Sequence, residues 1–193
     1  MRLKGGEKMF VDARIETNRL LIRPYSLEDT ERIFQIVGEE NFYKYIPEDV
    51  PSLDEVKDII KWSIDCCKKN TPDKIYKFNL AIIHKGDNKV IGYCGLGPDD
   101  LNLQEVELYY GLSNEYRSQG LASEAAYALV EYGFKVIKLK KIIGLVDAEN
   151  IHSIKLVEKL GMKYHFKIKD LPKNLSYFEN LSYYSIIRED FIK

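Results

Sequence analysis

The chain has 193 residues, 45% of them hydrophobic, and this size and composition predict one globular domain built around a single core. Charged residues make up 31% and nearly balance to a formal net charge of -1, so the basic excess typical of nucleic-acid-binding proteins is missing and no nucleic-acid partner is expected. The sequence has no long uncharged apolar run, and its polar start lacks the apolar core of a secretory signal, which predicts a cytoplasmic protein that does not enter membranes.

The first part of the chain predicts a polar extension, a strand and two capped helices. We expect residues 1–14 to be an N-terminal extension and residues 15–193 to form the single domain. The apolar run from Arg19 to Arg23 is closed by a proline and indicates a strand. Ser26 and Ser52 are each followed three positions later by an acidic residue, which is the arrangement of a capping box at a helix start.

The rest of the chain predicts six further strands, because it contains short apolar runs rich in β-branched residues. The first two runs are joined by the turn sequence Lys85-Gly86-Asp87-Asn88 and should form a hairpin. Helices are expected from Leu121 to about Phe134 and from Ile151 to Leu160. Strands that first follow one another and then alternate with helices predict an α/β fold with a mixed sheet and helices on both faces. The six runs are Phe78 to His84, Val90 to Gly95, Val106 to Leu112, Ile142 to Val146, Met162 to Ile168 and Leu181 to Arg188.

The loop from Arg117 to Ala122 has the features of a phosphate site. It leads from one strand into the long helix of a crossover unit, so the strands on either side of that helix should be parallel. A helix start presents free N–H groups and a partial positive charge, Gly120 lets a phosphate approach the backbone, and Arg117 adds a cation. The spacing alone is weak, since about one protein in five would contain it by chance, and on spacing alone an ordinary helix start is the better explanation.

Four segments, taken in chain order, resemble the GNAT superfamily of N-acetyltransferases, in particular its RimJ/RimL-type ribosomal-protein acetyltransferases. The loop also fits the coenzyme-A motif of that superfamily, which reads Arg/Gln-x-x-Gly-x-Gly/Ala. The four segments are ETNRLLIRP at residues 16–24, VELYYGL at 106–112, Asn150-x-x-Ser153 followed by VEKLGM at 157–162, and YSIIREDF at 184–191.

The resemblance implies a GNAT fold of the α/β (α+β) class and acetyl-CoA as the cosubstrate. The expected sheet is mixed, mostly antiparallel and twisted, with six to seven strands flanked by helices, and one splayed parallel strand pair would hold the cofactor. Splayed strands leave N–H and C=O groups unpaired, and the amide-rich pantetheine arm can occupy them as an extra strand. Asn150 is also read as an ordinary helix cap. The positions that match the family's cofactor contacts are Tyr110, Gly111, Leu112, Arg117, Ser118, Gln119, Gly120, Leu121, Ala122, Ser123, Asn150 and Ser153.

The implied chemistry is direct attack of a neutral amine on a thioester, without a covalent enzyme intermediate. Because an alkyl ammonium has a pKa near 10, a base must take its proton, and Glu107 is the candidate. Glu105 shares its face, and Glu107 could instead be an ordinary surface or salt-bridged carboxylate. The general-acid tyrosine of many relatives falls at Val157, so water or another tyrosine, with Tyr109 and Tyr184 as candidates, would have to serve.

Several alternatives stay open at the level of sequence. The acceptor can be a protein N-terminus or a small-molecule amine, and a homodimer is a further partner to test. The missing tyrosine also permits a non-catalytic acyl-CoA-binding sensor, and the loop permits a different nucleotide. Phe42, Tyr43 and Tyr45 can line an acceptor pocket or simply pack. The three cysteines and three histidines lack metal-ligand spacing, so no metal site is expected, and Cys94 is interpreted as a packing residue.

Overall fold

A computed structural model describes residues 5–46 and 49–191, and the strands in this part of the chain form one mixed sheet. The eight strands are β1 (Ile15–Glu16), β2 (Leu20–Pro24), β3 (Phe78–His84), β4 (Lys89–Pro98), β5 (Val106–Leu112), β6 (Lys141–Val146), β7 (Lys163–Lys167) and β8 (Ser182–Ile187). Their order across the sheet is β1-β2-β3-β4-β5-β6-β8-β7. Neighbouring strands are antiparallel except β5 and β6, which are parallel, as expected for a crossover connection.

Both serine caps that the sequence predicts are present, Ser52 at a long helix and Ser26 at the 3₁₀ turn Leu27–Asp29. Ser52 accepts the N–H of Glu55 and its own N–H is accepted by the Glu55 carboxylate, so the predicted capping box is confirmed, as is the one at Ser26. A π-helical turn, Gly133–Ile137, continues the fourth helix. The six helices of the described chain are α1 (Gly5–Val11), α2 (Thr30–Val37), α3 (Leu53–Lys69), α4 (Leu121–Tyr132), α5 (Ile151–Lys159) and α6 (Arg188–Phe191).

Two elements differ from the sequence prediction. The sheet has eight strands where six to seven were expected, because Ile15–Glu16 forms a short edge strand against β2. Two residues are too few to show the alternation by which strands are recognised. The extension also contains α1, whose Phe10 is fully buried and meets Phe78 edge-on at a ring-centre distance of 5.1 Å.

The two largest of the three apolar clusters in the described residues lie on opposite faces of the sheet, and a small third one surrounds Ile143, Ile168 and Tyr183. The largest one packs α4, α5 and Phe10 against one face, and the second packs α2 and α3 against the other. Both faces of the central strands are therefore covered, which explains their nearly continuous apolar runs. Within residues 5–46 and 49–191, no helix combines the length and the apolar character needed to cross a bilayer.

The parallel strands β5 and β6 part almost as soon as they meet. In the described structure they share one register pair, Glu107 with Ile143, whereas β5 pairs with β4 from Val106 to Leu112 and β6 pairs with β8 from Lys141 to Val146. The expected splayed pair is thus confirmed. It leaves a gap in the sheet that is closed at Glu107 and open towards the end of β5.

Candidate functional site

The gap between β5 and β6 is the feature around which the candidate site is arranged. Glu107 lies at its closed end, where the last cross-strand pair is made. Beyond its open end, β5 leads through a 3₁₀ turn, Asn114–Tyr116, into the loop that precedes α4. A carboxylate and a helix start therefore lie at opposite ends of the gap between the two strands.

The carboxylate of Glu107 has unusual electrostatics. Burial, followed by the neighbouring Asp99, raises its pKa from 4.5 to about 7, while Lys77 and a hydrogen bond from the N–H of Leu145 act in the opposite direction. Asp99 is only 2% exposed and accepts two backbone N–H groups of the turn after β4. A carboxylate whose pKa lies near 7 can accept and release a proton at neutral pH, as a general base must.

Glu105 is on the same side of the sheet but is already engaged. Its carboxylate accepts hydrogen bonds from Lys141 at 2.5 Å and from the Tyr183 hydroxyl at 2.8 Å and 2.9 Å. These contacts tie the start of β5 to β6 and β8. Glu105 is therefore held in an ion pair with Lys141, and Glu107 is the better placed proton acceptor.

A buried hydrogen-bonded chain orients Tyr109 next to Glu107 on the face covered by α2 and α3. The Tyr109 hydroxyl donates to Asn79 at 2.5 Å, and the Asn79 amide donates to the hydroxyl of Ser63 on α3 at 2.6 Å. Lys77 places its ammonium 4.5 Å from the centre of the Tyr109 ring. The Tyr109 proton is thus directed at Asn79, away from the gap, which argues against the general-acid role considered for this residue.

The opposite face of the gap is bounded by α5. The Asn150 side chain accepts the N–H of Ser153 at 3.1 Å, so its interpretation as the cap of α5 is confirmed. Tyr110 extends from β5 towards Ser153, and the buried Val157 lies one helical turn further along α5. Tyr184, the other acid candidate, is on β8 beyond β6 and packs edge-on against a neighbouring tyrosine.

The loop before α4 presents free backbone amides. Ser118 and Gly120 have left-handed φ values of 61° and 77°, and residues that alternate between hands turn successive N–H groups towards one concave side. The N–H groups of residues 118–123 donate to no other group in the described parts of the chain. Since Gly120 is the N-cap of α4, these amides also lie at the positive end of the helix. The loop has the geometry of an anion site.

Arg117 is held differently from the rest of the loop. Its N–H donates to the carbonyl of Asn114 at 3.2 Å, and its guanidinium donates to the carbonyl of Leu112 at 3.0 Å. The guanidinium also lies 5.6 Å from the ring centre of the buried Phe42. Phe42 in turn packs so closely on Gly111 that a Cβ there would lie 2.6 Å from the ring. These contacts connect the open end of the gap to the loop after α2.

Arg19 and Glu124 support the loop, and sequence reasoning did not assign them a role. The Arg19 guanidinium donates to the carbonyl of Gln119 at 3.0 Å and to the Glu124 carboxylate at 2.7 Å. Thr17 donates to the same carboxylate at 2.5 Å. Thr17 and Arg19 lie in the segment 16–24, which resembles the family, and this resemblance was the sequence feature that could have indicated their role.

The remaining nucleophiles and metal ligands contribute no second site. Cys94 is fully buried, and burial raises the pKa of its thiol, so it behaves as a packing residue. Across the part of the chain that the structure describes, no group of three or more His, Cys, Asp or Glu side chains is arranged to hold a metal ion.

Comparison with known proteins identifies the class. The acetyltransferase (GNAT) domain family matches residues 19–163. The uncharacterized N-acetyltransferase YnaD of Bacillus subtilis (strain 168) is 32% identical over 177 residues, which cover 91% of this chain and 98% of that protein. The chain is therefore an acetyltransferase. Within that class it belongs to the GNAT family.

Two solved structures share the fold. The ribosomal-protein-S5-alanine acetyltransferase from Vibrio fischeri superposes with a TM-score of 0.75 at 20% identity, covering 93% of this chain and 99% of that one. The spermidine N-acetyltransferase from Vibrio cholerae, solved in complex with CoA and spermine, gives a TM-score of 0.74 at 17% identity, covering 92% and 100%. At these identities the likeness is one of fold.

Proposed function

We propose that the chain moves an acetyl group from acetyl-CoA directly to a primary amine, with Glu107 as the general base. The observation that carries this proposal is the partly buried Glu107 carboxylate, which lies where β5 and β6 part and whose pKa is raised to about 7. A group of this pKa at the closed end of an open strand pair serves to deprotonate a nucleophile.

The residues around the gap fit the cofactor. Its acetyl thioester supplies the electrophile. Its amide-rich arm can pair with the backbone of Tyr110 and Leu112, which alternate with Gly111 and so direct their N–H and C=O groups away from β4, whereas the Gly111 carbonyl points to β4. The free amides of residues 118–123 would hold the diphosphate at the positive end of α4. Asn150 and Ser153 would bound the arm from the α5 side, where the buried Tyr110 hydroxyl lacks a partner among the described residues. Arg117 would take part after its guanidinium leaves the Leu112 carbonyl.

The proton chemistry follows from this placement. An alkyl amine with a pKa near 10 is mostly protonated at pH 7, so it must lose a proton before or during attack. Glu107 can accept that proton because a carboxyl group with a pKa of about 7 is partly ionised at pH 7. A backbone N–H of β5 would donate to the oxyanion as the carbonyl becomes tetrahedral. The acceptor amine would approach from the face of α2 and α3, because Glu107 points to that side.

The finer assignments extend the same proposal. The resemblance of segments 16–24, 106–112, 150–162 and 184–191 supports a RimJ/RimL-like enzyme acting on a protein N-terminus, with a small-molecule amine as the alternative acceptor. A cytoplasmic location and a homodimer stay predictions of the same kind. We also propose that residues 15–193 form the catalytic unit.

An acetylation screen tests the proposal. Purified protein is incubated with acetyl-CoA and N-terminal peptides, polyamines, aminoglycosides or amino acids, and the released thiol is measured. We expect release with at least one amine class, and its loss in Glu107→Gln with CoA binding retained. Glu105→Gln is the matched control, because that carboxylate holds Lys141 and Tyr183 instead. Equal rates for Glu107→Gln and the wild type at every pH would place the base elsewhere.

A further inference from the structure

The hydroxyl of Tyr110 is a buried polar group without a partner. No group of residues 5–46 or 49–191 has the geometry of a full hydrogen bond to it, and the Ser153 side chain is the nearby polar group whose weak interaction lowers the Tyr110 pKa against the effect of burial. A buried hydroxyl that loses its hydrogen bonds to water and gains none destabilises the folded chain. Such a group is explained if a ligand supplies the partner.

The position of Tyr110 points to the ligand. It lies on β5 three residues after Glu107, so the two side chains leave opposite faces of the sheet. From there Tyr110 reaches towards Ser153 on α5, the helix that follows β6, and so extends along the opening between the two strands. Glu107 thus faces the α2 and α3 side of the gap, and the Tyr110 hydroxyl faces the α5 side.

The two faces correspond to the two groups that exchange in the reaction. If the amine enters from the face of Glu107, that carboxylate serves the nitrogen, and a group on the α5 side of the gap can serve the sulfur. Val157, one helical turn after Ser153, has no hydrogen to donate there. Tyr184 lies beyond β6, and the Tyr109 hydroxyl donates to Asn79.

We propose that the Tyr110 hydroxyl donates a hydrogen bond to the sulfur of the departing coenzyme A and so stabilises the thiolate. The amine nitrogen first bonds to the carbonyl carbon, which becomes tetrahedral; when the carbonyl re-forms, the carbon–sulfur bond breaks and its electron pair stays on sulfur. The proton lost by the amine passes to Glu107 and then to water, and the thiolate takes a proton from water when it leaves. Tyr110 stays protonated throughout, which suits a buried phenol because burial raises its pKa. This inference rests on the proposed function.

The test compares Tyr110→Phe with the wild type. A hydrogen bond to a charged group is worth about 10- to 100-fold, so kcat should fall by about that factor while the KM for acetyl-CoA changes less than about threefold. In the complex with CoA, the thiolate absorbance should titrate at a pKa at least about one pH unit higher in the variant. Wild-type protein should bind CoA more tightly than desulfo-CoA above the thiol pKa, and the variant should lose that preference.

Two controls separate this role from a structural one. Tyr127→Phe removes the hydroxyl of an exposed tyrosine on α4 and should leave every readout unchanged. Thermal unfolding of ligand-free Tyr110→Phe should match or exceed the wild type, because the variant loses an unpartnered hydroxyl. Equal thiol pKa values in the wild type and Tyr110→Phe, with normal turnover, would overturn the inference and leave the proposed function standing. Failure of the wild type to bind CoA at all would instead remove the proposed function.

Discussion

Replacing Glu107 with Gln should make the protein more stable at neutral pH while abolishing most of its activity. Glu107 is the group whose pKa is raised from 4.5 to about 7, mainly by burial. The folded state therefore favours the protonated carboxyl, and this contribution to stability is complete below pH 4.5 and lost as the pH rises to about 7. A gap of about 2.5 pH units corresponds to about 3 kcal/mol at 25 °C.

The substituted glutamine side chain keeps the shape and the oxygen acceptor of a neutral carboxyl but cannot ionise. Urea unfolding at pH 5, 6, 7 and 8 should show the wild type losing up to about 3 kcal/mol relative to Glu107→Gln across this range. Over the same pH range the wild-type kcat/KM should rise with an apparent pKa near 7, and Glu107→Gln should fall at least about 100-fold at pH 8.

Asp99→Asn extends the test. Asp99 is the second cause of the raised pKa, so removing its charge should move the acidic limb of the wild-type rate profile to lower pH. Stability curves for Glu107→Gln and the wild type that run parallel from pH 5 to pH 8 would refute the reasoning, because they would mean that Glu107 titrates alike in the folded and unfolded chains.

Three other substitutions test the loop and the extension. Gly120→Glu should raise the Kd for CoA more than about 100-fold in calorimetry, because its left-handed φ strains any side chain and the carboxylate repels a diphosphate, and near-normal affinity would move the site elsewhere. Arg19→Ala should raise the KM for acetyl-CoA about tenfold, because the Gln119 carbonyl loses its hydrogen bond. Arg19→Lys should restore little of the wild-type KM, since lysine lacks the planar guanidinium with its several donors. A wild-type KM in Arg19→Lys would show that only the positive charge at this position matters. Phe10→Ala should lower the free energy of unfolding by about 3–5 kcal/mol, and a loss below about 1 kcal/mol would show that α1 is dispensable.

Local signals in the sequence were enough for most of the fold. Capping boxes at Ser26 and Ser52 and the turn at residues 85–88 act within a few residues, so they could be recognised before any tertiary contact was known. β1 and α1 were not predicted. A two-residue strand and a short polar helix are stabilised by the residues they pack against, and those residues are distant in sequence.

The residues of the candidate site also fall into two groups, those that local sequence reveals and those that depend on contacts between distant parts of the chain. The crossover strand, the glycine loop and Glu107 were visible as a motif and its spacing. The support of the loop by Arg19, the engagement of Glu105 by Lys141, and the partnerless hydroxyl of Tyr110 depend on residues that meet only when the chain folds. Carboxylates and tyrosines on β5 can be recognised from the sequence, but which of them are already hydrogen-bonded cannot.

A sheet that is interrupted at one place has a mechanical consequence. Strands β1 to β5 form one part of the sheet and β6 to β8 the other. In the described structure, the strand pairing that links the two parts is the Glu107 and Ile143 pair. A bound molecule whose amide groups form hydrogen bonds with both strands across the gap would join the two parts into one continuously hydrogen-bonded sheet. Amide hydrogen exchange should then slow on β5 and β6 together when the cosubstrate is added. Binding of the cosubstrate would thus make the sheet more rigid at positions far from the reacting carbon.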